Sequence, residues 1–383
     1  MIIFISLFWL VVVSIIYTYF IYPFILFILS RNKKCPTQLN KSLYQPNVSI
    51  VVSVFNEEKT LFNKIANLKI LDYPKSQIEF IFGSDGSIDK SVEVLKSMSL
   101  EGMHIYDFNE RRGKAAVIND LISTAAGDII VFTDANTEFE QYTVQELIKH
   151  FHDSDVGAVS GQLILRSNNK HSNTGEYSYW AFENKLKLME SKINSTLGAT
   201  GGVYAIRKSL FSPLPTNISV TDDFLIPMKI LLKGFRTIYE PRAIAYEELE
   251  TSIAGDYRRK VRIGAQNINV LPLIAPLLHP RYGFSAFSLW SHKIFRWLVP
   301  FFLVAITLLL YSLKDLSPFY EILYKITQIF LGIGLLGFVA DLLKISVGYL
   351  GYPYYFLAMN FALFIGTFKA FFGLQKPTWT VVR

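Results

Sequence analysis

The sequence has very little cysteine and little charge. Its 383 residues include one cysteine, Cys35, which excludes an intrachain disulfide and a cysteine-rich metal site. Charged residues make up 18% of the chain against 51% hydrophobic residues, a balance that is unusual for a soluble protein and indicates membrane spans. The net charge of +7 would suit a nucleic acid or a membrane face, but no basic run with interleaved aromatic residues is present, which argues against nucleic acid. We therefore expect a membrane protein with no nucleic-acid partner.

Charge is absent altogether from residues 1–30, a stretch long enough to cross a bilayer. It lacks a basic start and a small-residue cleavage site, so a retained transmembrane helix is favoured over a cleaved signal peptide. The following segment, 31–46, is predicted to be a linker. It carries four basic residues and no acidic one: Arg31, Lys33, Lys34 and Lys41. The positive-inside rule places this end of the helix on the cytoplasmic side.

Downstream of the linker, short apolar runs alternate with segments of helical periodicity. Strands are predicted at 48–54, 78–82, 104–106, 129–132 and 158–165, and helices at 59–71 and 115–126. Such alternation is typical of an α/β fold with a mostly parallel, doubly wound sheet. The fingerprint GxGxxG is missing after the first strand, so nothing predicts a dinucleotide cofactor.

The stretch at 131–137, VFTDANT, ends a buried strand in a carboxylate, Asp134, and an amide, Asn136. Oxygen ligands of this kind suit Mg²⁺ or Mn²⁺ bound together with a phosphate. Further polar residues follow the other strands, and in a parallel sheet they would converge at its carboxyl edge. They are Glu57, Asp85, Arg112 and Lys114. For each residue alone a turn or cap is the commoner explanation, but together they predict a site for a nucleoside diphosphate and a metal.

Four motifs occur here in one order: VSIVVSVFNEEKTL, FGSDGSIDKS, NERRGKAAVIND and VFTDANT. Through them, residues 48–264 resemble a family 2 glycosyltransferase with a GT-A fold. The resemblance implies that Asp85 contacts a uracil-type base and that Gly113-Lys114 lies beside the nucleotide. Glu57 and Arg112 are assigned to the same nucleotide site.

The resemblance also implies a cofactor, a divalent cation held on the diphosphate by an Asp-x-Asp motif. In this chain the motif reads Asp134-Ala135-Asn136, so its second acid is replaced by an amide whose oxygen can still act as a ligand.

The second half of the domain continues the resemblance. The segment 198–207, GATGGVYAIR, resembles the family's acceptor-site lining, which makes Gly201 and Gly202 predicted acceptor contacts. Glu183, on an amphipathic helix predicted at 177–192, is assigned to the acceptor site as well. A Gly-rich turn before a strand accounts for the same glycines without the family.

Two further segments supply the predicted catalytic residues. The run VTDDF at 220–224 resembles the family's Thr-Glu-Asp motif, which makes Asp223 the predicted general base and Asp222 its acidic neighbour. The two acids can also be explained as caps at the start of a helix predicted at 224–232, and both explanations can hold together.

The second of these segments is basic and covers 256–264. Of the Gln-x-x-Arg-Trp pattern of processive family members it matches only the arginine, Arg262, while Arg259 and Ile263 occupy the glutamine and tryptophan positions. Arg262 is predicted to neutralise the leaving diphosphate. Alternatively, the basic cluster contacts anionic lipid.

The chain is thus divided by prediction into a cytoplasmic domain and a membrane part. After the domain at 47–267 we expect an interfacial region at 268–294, about three transmembrane helices within 295–374 and a tail at 375–383. With the first helix this gives four spans and a C-terminus outside, whereas Lys369, Lys376 and Arg383 favour the cytoplasm.

These features predict an inverting glycosyltransferase of the plasma membrane with a cytoplasmic catalytic domain. It would move a sugar from a nucleotide-sugar, expected to be UDP-linked, to a growing glycan or lipid-linked acceptor in polysaccharide synthesis. One alternative is a polyprenyl-phosphate glycosyltransferase that makes a lipid-linked monosaccharide. Another is a non-catalytic subunit that binds nucleotide or glycan in a synthase complex, although the presence of Asp85, Asp134 and Asp223 argues against it. A transporter fits poorly, because the sequence shows no intramembrane charge array.

Overall fold

The computed structural model describes residues 1–33, 44–166, 174–248, 253–343, 345 and 351–378. The strands are β1 (Val48–Val54), β2 (Ile78–Asp85), β3 (Met103–Phe108), β4 (Ile129–Phe132), β5 (Glu138–Phe139), β6 (Val156–Arg166), β7 (Tyr204–Arg207) and β8 (Arg236–Glu248). The helices are α1 (Ile2–Ile16), α2 (Tyr22–Ser30), α3 (Glu58–Lys69), α4 (Ser91–Ser97), α5 (Lys114–Thr124), α6 (Thr143–Ile148), α7 (Thr174–Ile193), α8 (Asp222–Leu232), α9 (Ile253–Ile274), α10 (Phe284–Ser288), α11 (Phe295–Leu313), α12 (Pro318–Leu342) and α13 (Gly351–Phe371).

The strands form one mixed sheet in the order β3-β2-β1-β4-β7-β6-β8-β5. Strands β1 to β4 pair in parallel, as the alternating pattern predicts, and β6 pairs in parallel with β8. Strand β7 is antiparallel to both of its neighbours, and β5 is antiparallel to β8. The carboxyl ends of β1, β2 and β4 therefore open on one edge of the sheet, where ligands bind in open α/β folds.

Both faces of the sheet are covered, because successive residues of a strand point to opposite sides. In β1, Ile50 and Val52 belong to the core layer that includes Leu61 of α3. Val51, between them, belongs to the opposite layer with Val117 of α5. This burial on both faces explains why the strand is a continuous apolar run rather than an alternating one.

Five helical segments among the described residues are long and apolar enough to cross a membrane. They are Ile2–Ser30, Ala254–Leu278, Phe284–Leu313, Pro318–Leu342 and Gly351–Phe371. The sequence predicted four spans. The additional candidate arises because the basic segment around Arg262 continues without a break into the apolar residues that follow, as one helix. Most of the linker predicted at 31–46, and the end of the tail, lie outside the described residues.

Helix α9 packs tightly against α13. A Cβ atom on Gly264 of α9 would lie 2.6 Å from the carbonyl oxygen of Leu363, and one on Gly366 of α13 would collide with the carbonyl oxygen of Val261. Glycines at such contacts let two helix backbones approach closely. Since α9 also carries Arg262, this contact fixes the position of that arginine relative to the apolar helix α13.

Candidate active site

The carboxylate of Asp85 organises the loop that leads into α5. Asp85 is the buried last residue of β2, and its oxygens accept hydrogen bonds from the backbone N–H groups of Arg112 at 2.7 Å and Gly113 at 2.9 Å. Gly113 has a φ of +93°, and a Cβ atom there would lie 3.2 Å from the carbonyl oxygen of Pro377. The C-terminal segment therefore rests on the loop at Gly113, a contact that the sequence did not predict.

The two neighbouring arginines of this loop point in different directions. The guanidinium of Arg112 pairs with Asp120 at 2.6 Å and is exposed to solvent, so its backbone rather than its side chain meets Asp85. The guanidinium of Arg111 stacks at 3.8 Å on the ring of Phe55, at the end of β1. Its Nε and Nη2 atoms are buried and have no hydrogen-bond partner among the described residues. Arg111 was missed in the sequence, where only its position beside Arg112 could have suggested it.

Glu57 lies at the start of α3 and helps to join two strand-end loops. Its backbone N–H donates to Ser91 Oγ at 2.7 Å, and its carboxylate accepts a hydrogen bond from Thr60 Oγ1 at 2.8 Å. In the same loop, Asn56 adopts a positive φ of 54°, an unusual backbone for a residue with a Cβ atom. The structure thus places Glu57 beside the loop that follows Asp85 (residues 86–90, here called the Asp85 loop), with hydrogen bonds to α3 and α4.

Lys114, Asp134 and Asp222 meet at the carboxyl edge of the sheet although they come from three different elements. Lys114 Nζ lies 2.9 Å from Asp134 Oδ1 and 3.2 Å from Asp222 Oδ1. Burial would lower the pKa of Lys114, but Asp134 and Asp222 outweigh it and raise that pKa. Burial would likewise raise the pKa of Asp134, but Lys114 holds it below its ordinary value. Lys114 and Asp134 are therefore both charged at neutral pH.

Asp222 and Asp223 occupy the first turn of α8, with Thr221 at the N-cap position. Neither acid therefore occupies the cap position itself, and both lie at the positive end of the helix dipole. Asp222 Oδ2 also accepts a hydrogen bond from the Tyr204 hydroxyl at 3.0 Å, so both of its oxygens are engaged. Burial, and then the neighbouring charge of Asp222, raise the pKa of Asp223 to about 6.

The two glycines predicted for the acceptor site lie beside Asp223 and Asp134. A Cβ atom on Gly201 would lie 3.0 Å from Asp223 Oδ2. Gly202 has a φ of +80°, and a Cβ atom there would lie 2.7 Å from Thr137 Oγ1 and 3.4 Å from Asp134 Oδ2. Gly201 thus leaves space in front of Asp223, and Gly202 lets the loop approach Asp134 closely.

The loop after β4 carries the predicted metal ligands. Asn136 Nδ2 donates to Glu247 Oε1 at 2.9 Å, which orients the amide and leaves its carbonyl oxygen as the ligating atom. Among the described residues no group of three or more His, Cys, Asp or Glu side chains could hold a metal. One carboxylate and one amide oxygen are hard donors, and they fit Mg²⁺ or Mn²⁺ when substrate phosphates and water complete the shell.

A buried lysine lies beneath this loop. Lys64 Nζ donates to Thr133 Oγ1 at 2.6 Å and to the carbonyl oxygen of Thr137 at 2.5 Å, and so ties together the two ends of the loop. Burial lowers the pKa of Lys64 to about 7, against the opposing charge of Asp134. The sequence does contain a signal for it, because Lys64 interrupts the apolar stripe of α3 between Leu61 and Ile65.

Two predicted residues remain, and they have different surroundings. Arg262 of α9 is half-buried and close enough to Asp134 to help lower its pKa. Glu183 is buried, and its carboxylate lies 2.7 Å from Lys293 Nζ and 2.6 Å from Arg296 Nη1. Glu183 is thus bound to the first turn of α11 and to the segment just before it. Lys187, one turn further along α7, reaches the Gly-rich loop instead.

Comparison with known proteins agrees with this geometry. Residues 49–214 match the glycosyl transferase family 2. The chain is 27% identical over 268 residues to the poly-beta-1,6-N-acetyl-D-glucosamine synthase of Staphylococcus aureus strain COL, covering 68% of this chain and 62% of that protein. It is 26% identical over 235 residues to an N-acetylglucosaminyltransferase of Azorhizobium caulinodans, covering 57% and 58%. The chain therefore spans less than two thirds of the length of these relatives.

A solved structure has the same fold over nearly the whole chain. The mannosyltransferase PcManGT from Pyrobaculum calidifontis, in complex with GDP-Man and Mn²⁺, superposes with a TM-score of 0.71 at 21% identity. The match covers 96% of this chain and 100% of that one. Together the comparisons confirm the resemblance of residues 49–214 to the glycosyl transferase family 2 and the predicted GT-A fold class. Residues 49–214 thus match a glycosyl transferase family 2 domain, and this part of the chain is joined to helices that are long and apolar enough to cross a membrane.

Proposed function

We propose that the chain is a membrane-bound inverting glycosyltransferase that moves a sugar from a nucleotide-sugar to a glycan or lipid-linked acceptor. The observation that carries the proposal is the convergence of Lys114, Asp134 and Asp222 at the carboxyl edge of the sheet, with Asp223 one residue further along α8. Cations for a diphosphate, ligands for a divalent cation and a carboxylate with a raised pKa thereby share one crevice. The names of the relatives make UDP-GlcNAc the first donor to test.

On the donor side, the base of the nucleotide would lie between the Asp85 loop and the stack of Arg111 on Phe55. The Nε and Nη2 atoms of Arg111, which have no hydrogen-bond partner within the described part of the chain, are donors that suit the carbonyl oxygens of a uracil-type base. Lys114 would contact the diphosphate. Asp134 and Asn136 would hold a divalent cation, which when bound supplies positive charge to the diphosphate.

On the acceptor side, Asp223 would act as the general base. In inverting transfer, an acceptor oxygen forms a bond to the anomeric carbon while the bond from that carbon to the diphosphate breaks, and the hydroxyl proton passes to a carboxylate. With a pKa of about 6, Asp223 is largely ionised at pH 7 and able to take that proton. Asp222 is less suited, because Lys114 and Tyr204 engage its two oxygens. Arg262 would stabilise the charge of the departing nucleoside diphosphate.

We place this chemistry at the cytoplasmic face of the plasma membrane. Activated sugars are found in the cytoplasm, and the basic residues after α2, among them Arg31 and Lys33, favour that side. The remaining partners in the proposal are the lipid bilayer and, in a polysaccharide-synthesis machine, further synthase subunits.

The test is a donor screen with the full chain purified into lipid nanodiscs. Release of nucleoside diphosphate is measured for UDP- and GDP-sugars with Mg²⁺, Mn²⁺ or a chelator. We expect metal-dependent turnover of one donor, and loss of that turnover and of metal-dependent nucleotide binding in Asp134→Ala. Asp128→Ala is the matched control, because Asp128 is an exposed acid just before β4 whereas Asp134 follows the strand. Turnover that is unchanged in Asp134→Ala would refute the metal assignment. Absence of turnover by the wild-type chain with every donor would refute the proposal that the chain is a glycosyltransferase.

A further inference from the structure

Lys187 is a buried lysine that has no role in the reaction proposed above. Its side chain is 4% exposed in the middle of α7. Its Nζ donates to Thr200 Oγ1 at 2.9 Å and to the carbonyl oxygen of Ala199 at 3.2 Å. Because burying an ammonium group is costly unless its hydrogen bonds are satisfied, these two contacts to the loop are what compensate its burial.

The loop that Lys187 contacts also lies against Asp223. The backbone N–H of Ala199 donates to the carbonyl oxygen of Asp223 at 2.7 Å, and Gly201 faces the Asp223 carboxylate. From the other side, Ser160 Oγ of β6 accepts a hydrogen bond from the backbone N–H of Thr200 at 2.9 Å. The loop is thus held between β6 and Lys187, and it packs against Asp223.

Helix α7 is itself anchored to two of the helical segments that are long and apolar enough to cross a membrane. Besides the ion pairs of Glu183, the carboxylate of Glu190 lies 2.7 Å from His292 Nδ1 and accepts a hydrogen bond from the Tyr22 hydroxyl at 2.7 Å. Tyr22 belongs to α2, and His292 precedes α11. The backbone of α7 is therefore fixed at the point from which Lys187 reaches the loop.

We propose that Lys187 is a positioning residue for sugar transfer: it holds the Ala199–Thr200 turn against Asp223 and presents a positive charge to that carboxylate. The inference rests on the proposed function, in which Asp223 takes the acceptor proton. Lys187 would act through the loop and through its charge, without touching either substrate.

The titratable and charged groups that face Asp223 come from every element packed around it: Asp222 on α8, Lys114 on α5, Lys187 on α7, Tyr204 on β7, Asp134 after β4 and Arg262 on α9. Burial and the two acids disfavour the ionised form of Asp223, whereas Lys114 and Lys187 favour it. Burial lowers the pKa of Lys187 itself to about 8, against the charge of Glu183, so Lys187 still carries its proton at neutral pH.

The experiment compares Lys187→Met, Lys187→Arg and Lys185→Met in the full chain in nanodiscs, with kcat and KM for sugar transfer measured from pH 5 to 9. Lys185 lies on the same helix but is exposed, so its variant controls for loss of a lysine charge from α7. We expect Lys187→Met to lose kcat by roughly tenfold to a hundredfold, the usual cost of misplacing a reacting group. Its donor KM should stay unchanged, and the acid limb of its kcat profile should move up by about one pH unit. Lys187→Arg should restore the pH limb, and Lys185→Met should behave as wild type.

A further variant, Thr200→Val, separates the two parts of the proposal. It removes the hydroxyl that Lys187 contacts and leaves the lysine charge in place, so kcat should fall while the pH limb stays where it is in wild type. Wild-type kcat and an unmoved acid limb in Lys187→Met would overturn the inference. If Lys187→Met does not fold, wild-type kcat in Thr200→Val overturns it instead. Absence of transfer by the wild-type chain with every donor refutes the proposed function, which is a different outcome.

Discussion

Replacing Asp223 by Asn is the substitution that tests the proposed chemistry most closely. Asparagine has nearly the same shape as aspartate but cannot accept a proton, and the side chain is only partly buried, so the fold should be kept. We expect transfer to fall by roughly two to four orders of magnitude, the usual contribution of a positioned general base. Binding of the nucleotide-sugar should survive, because this carboxylate faces the Gly-rich loop and Gly201 rather than the Asp85 loop.

The raised pKa of Asp223 gives the prediction a second, independent signature. Because that pKa is about 6, roughly nine tenths of the carboxylate is ionised at pH 7, and the ionised fraction falls about tenfold per unit below pH 6. The wild-type kcat profile should therefore have an acid limb with a midpoint near pH 6, and Asp223→Asn should lack it. Folding stability depends on pH in the opposite direction to kcat. Because the pKa of Asp223 in the folded state lies above its ordinary value, its contribution to the free energy of unfolding is full at low pH and is lost as the pH rises through about 6.

The neighbouring acid is the matched control. Asp222→Asn removes the charge that helps to raise the pKa of Asp223, so the acid limb should move to lower pH while transfer falls less than in Asp223→Asn. The assay is transfer of labelled sugar by each purified variant across this pH range. Near-normal transfer by Asp223→Asn together with loss in Asp222→Asn would move the role of base one residue back. Normal transfer by both variants would refute the assignment of either acid.

Three further predictions follow from contacts seen in the structure. The sequence alone predicts that Asn136→Asp retains or tightens metal-dependent nucleotide binding, because it restores a second carboxylate to the motif. The contact with Glu247 changes this expectation: the variant places two carboxylates side by side, so calorimetry should show Mn²⁺-dependent UDP binding weakened by about tenfold and restored by adding Glu247→Gln. Tighter binding by the single variant would contradict this. Arg111→Ala should raise the Kd for UDP by roughly tenfold while Arg112→Ala leaves it within about threefold, and equal effects would show that the stack on Phe55 is irrelevant. Cys35, in the linker that lies outside the described residues, should resist a membrane-impermeant maleimide in intact cells and react after permeabilisation, whereas labelling of intact cells would overturn the cytoplasmic placement.

The sequence predicted the parts of the site that depend on one strand at a time. The limits of β1 and β4 follow from apolar runs bounded by polar residues, and Asp85 and Asp134 lie at strand ends because the runs stop there. A parallel sheet then brings these ends to one edge. That Lys114 contacts both Asp134 and Asp222 could not be predicted in this way, because α8 reaches the edge only after the antiparallel β7.

The residues that were missed or placed differently depend on packing between distant segments. Periodicity identified α7 as amphipathic, but it cannot show which neighbour each buried polar group meets. Glu183 therefore turned out to be bound to Lys293 and Arg296, and Lys187 is the residue that reaches the loop. The number of candidate spans differed for a related reason: the basic residues around Arg262 lower the hydropathy of a segment that the structure shows to be one continuous helix.

The most direct test of the central claim is transfer of a radiolabelled sugar by the purified full chain. The donor that the screen identifies is incubated with Mn²⁺ and membrane-extracted acceptors, in parallel for wild type and Asp223→Asn, and nucleotide binding is measured on the same samples. We predict that label enters an acid-stable glycan or a lipid-extractable product with wild type. With Asp223→Asn the incorporation should fall at least about a hundredfold at unchanged nucleotide binding. Equal incorporation by the two proteins, or none by a wild-type protein that still binds the nucleotide, would contradict the account.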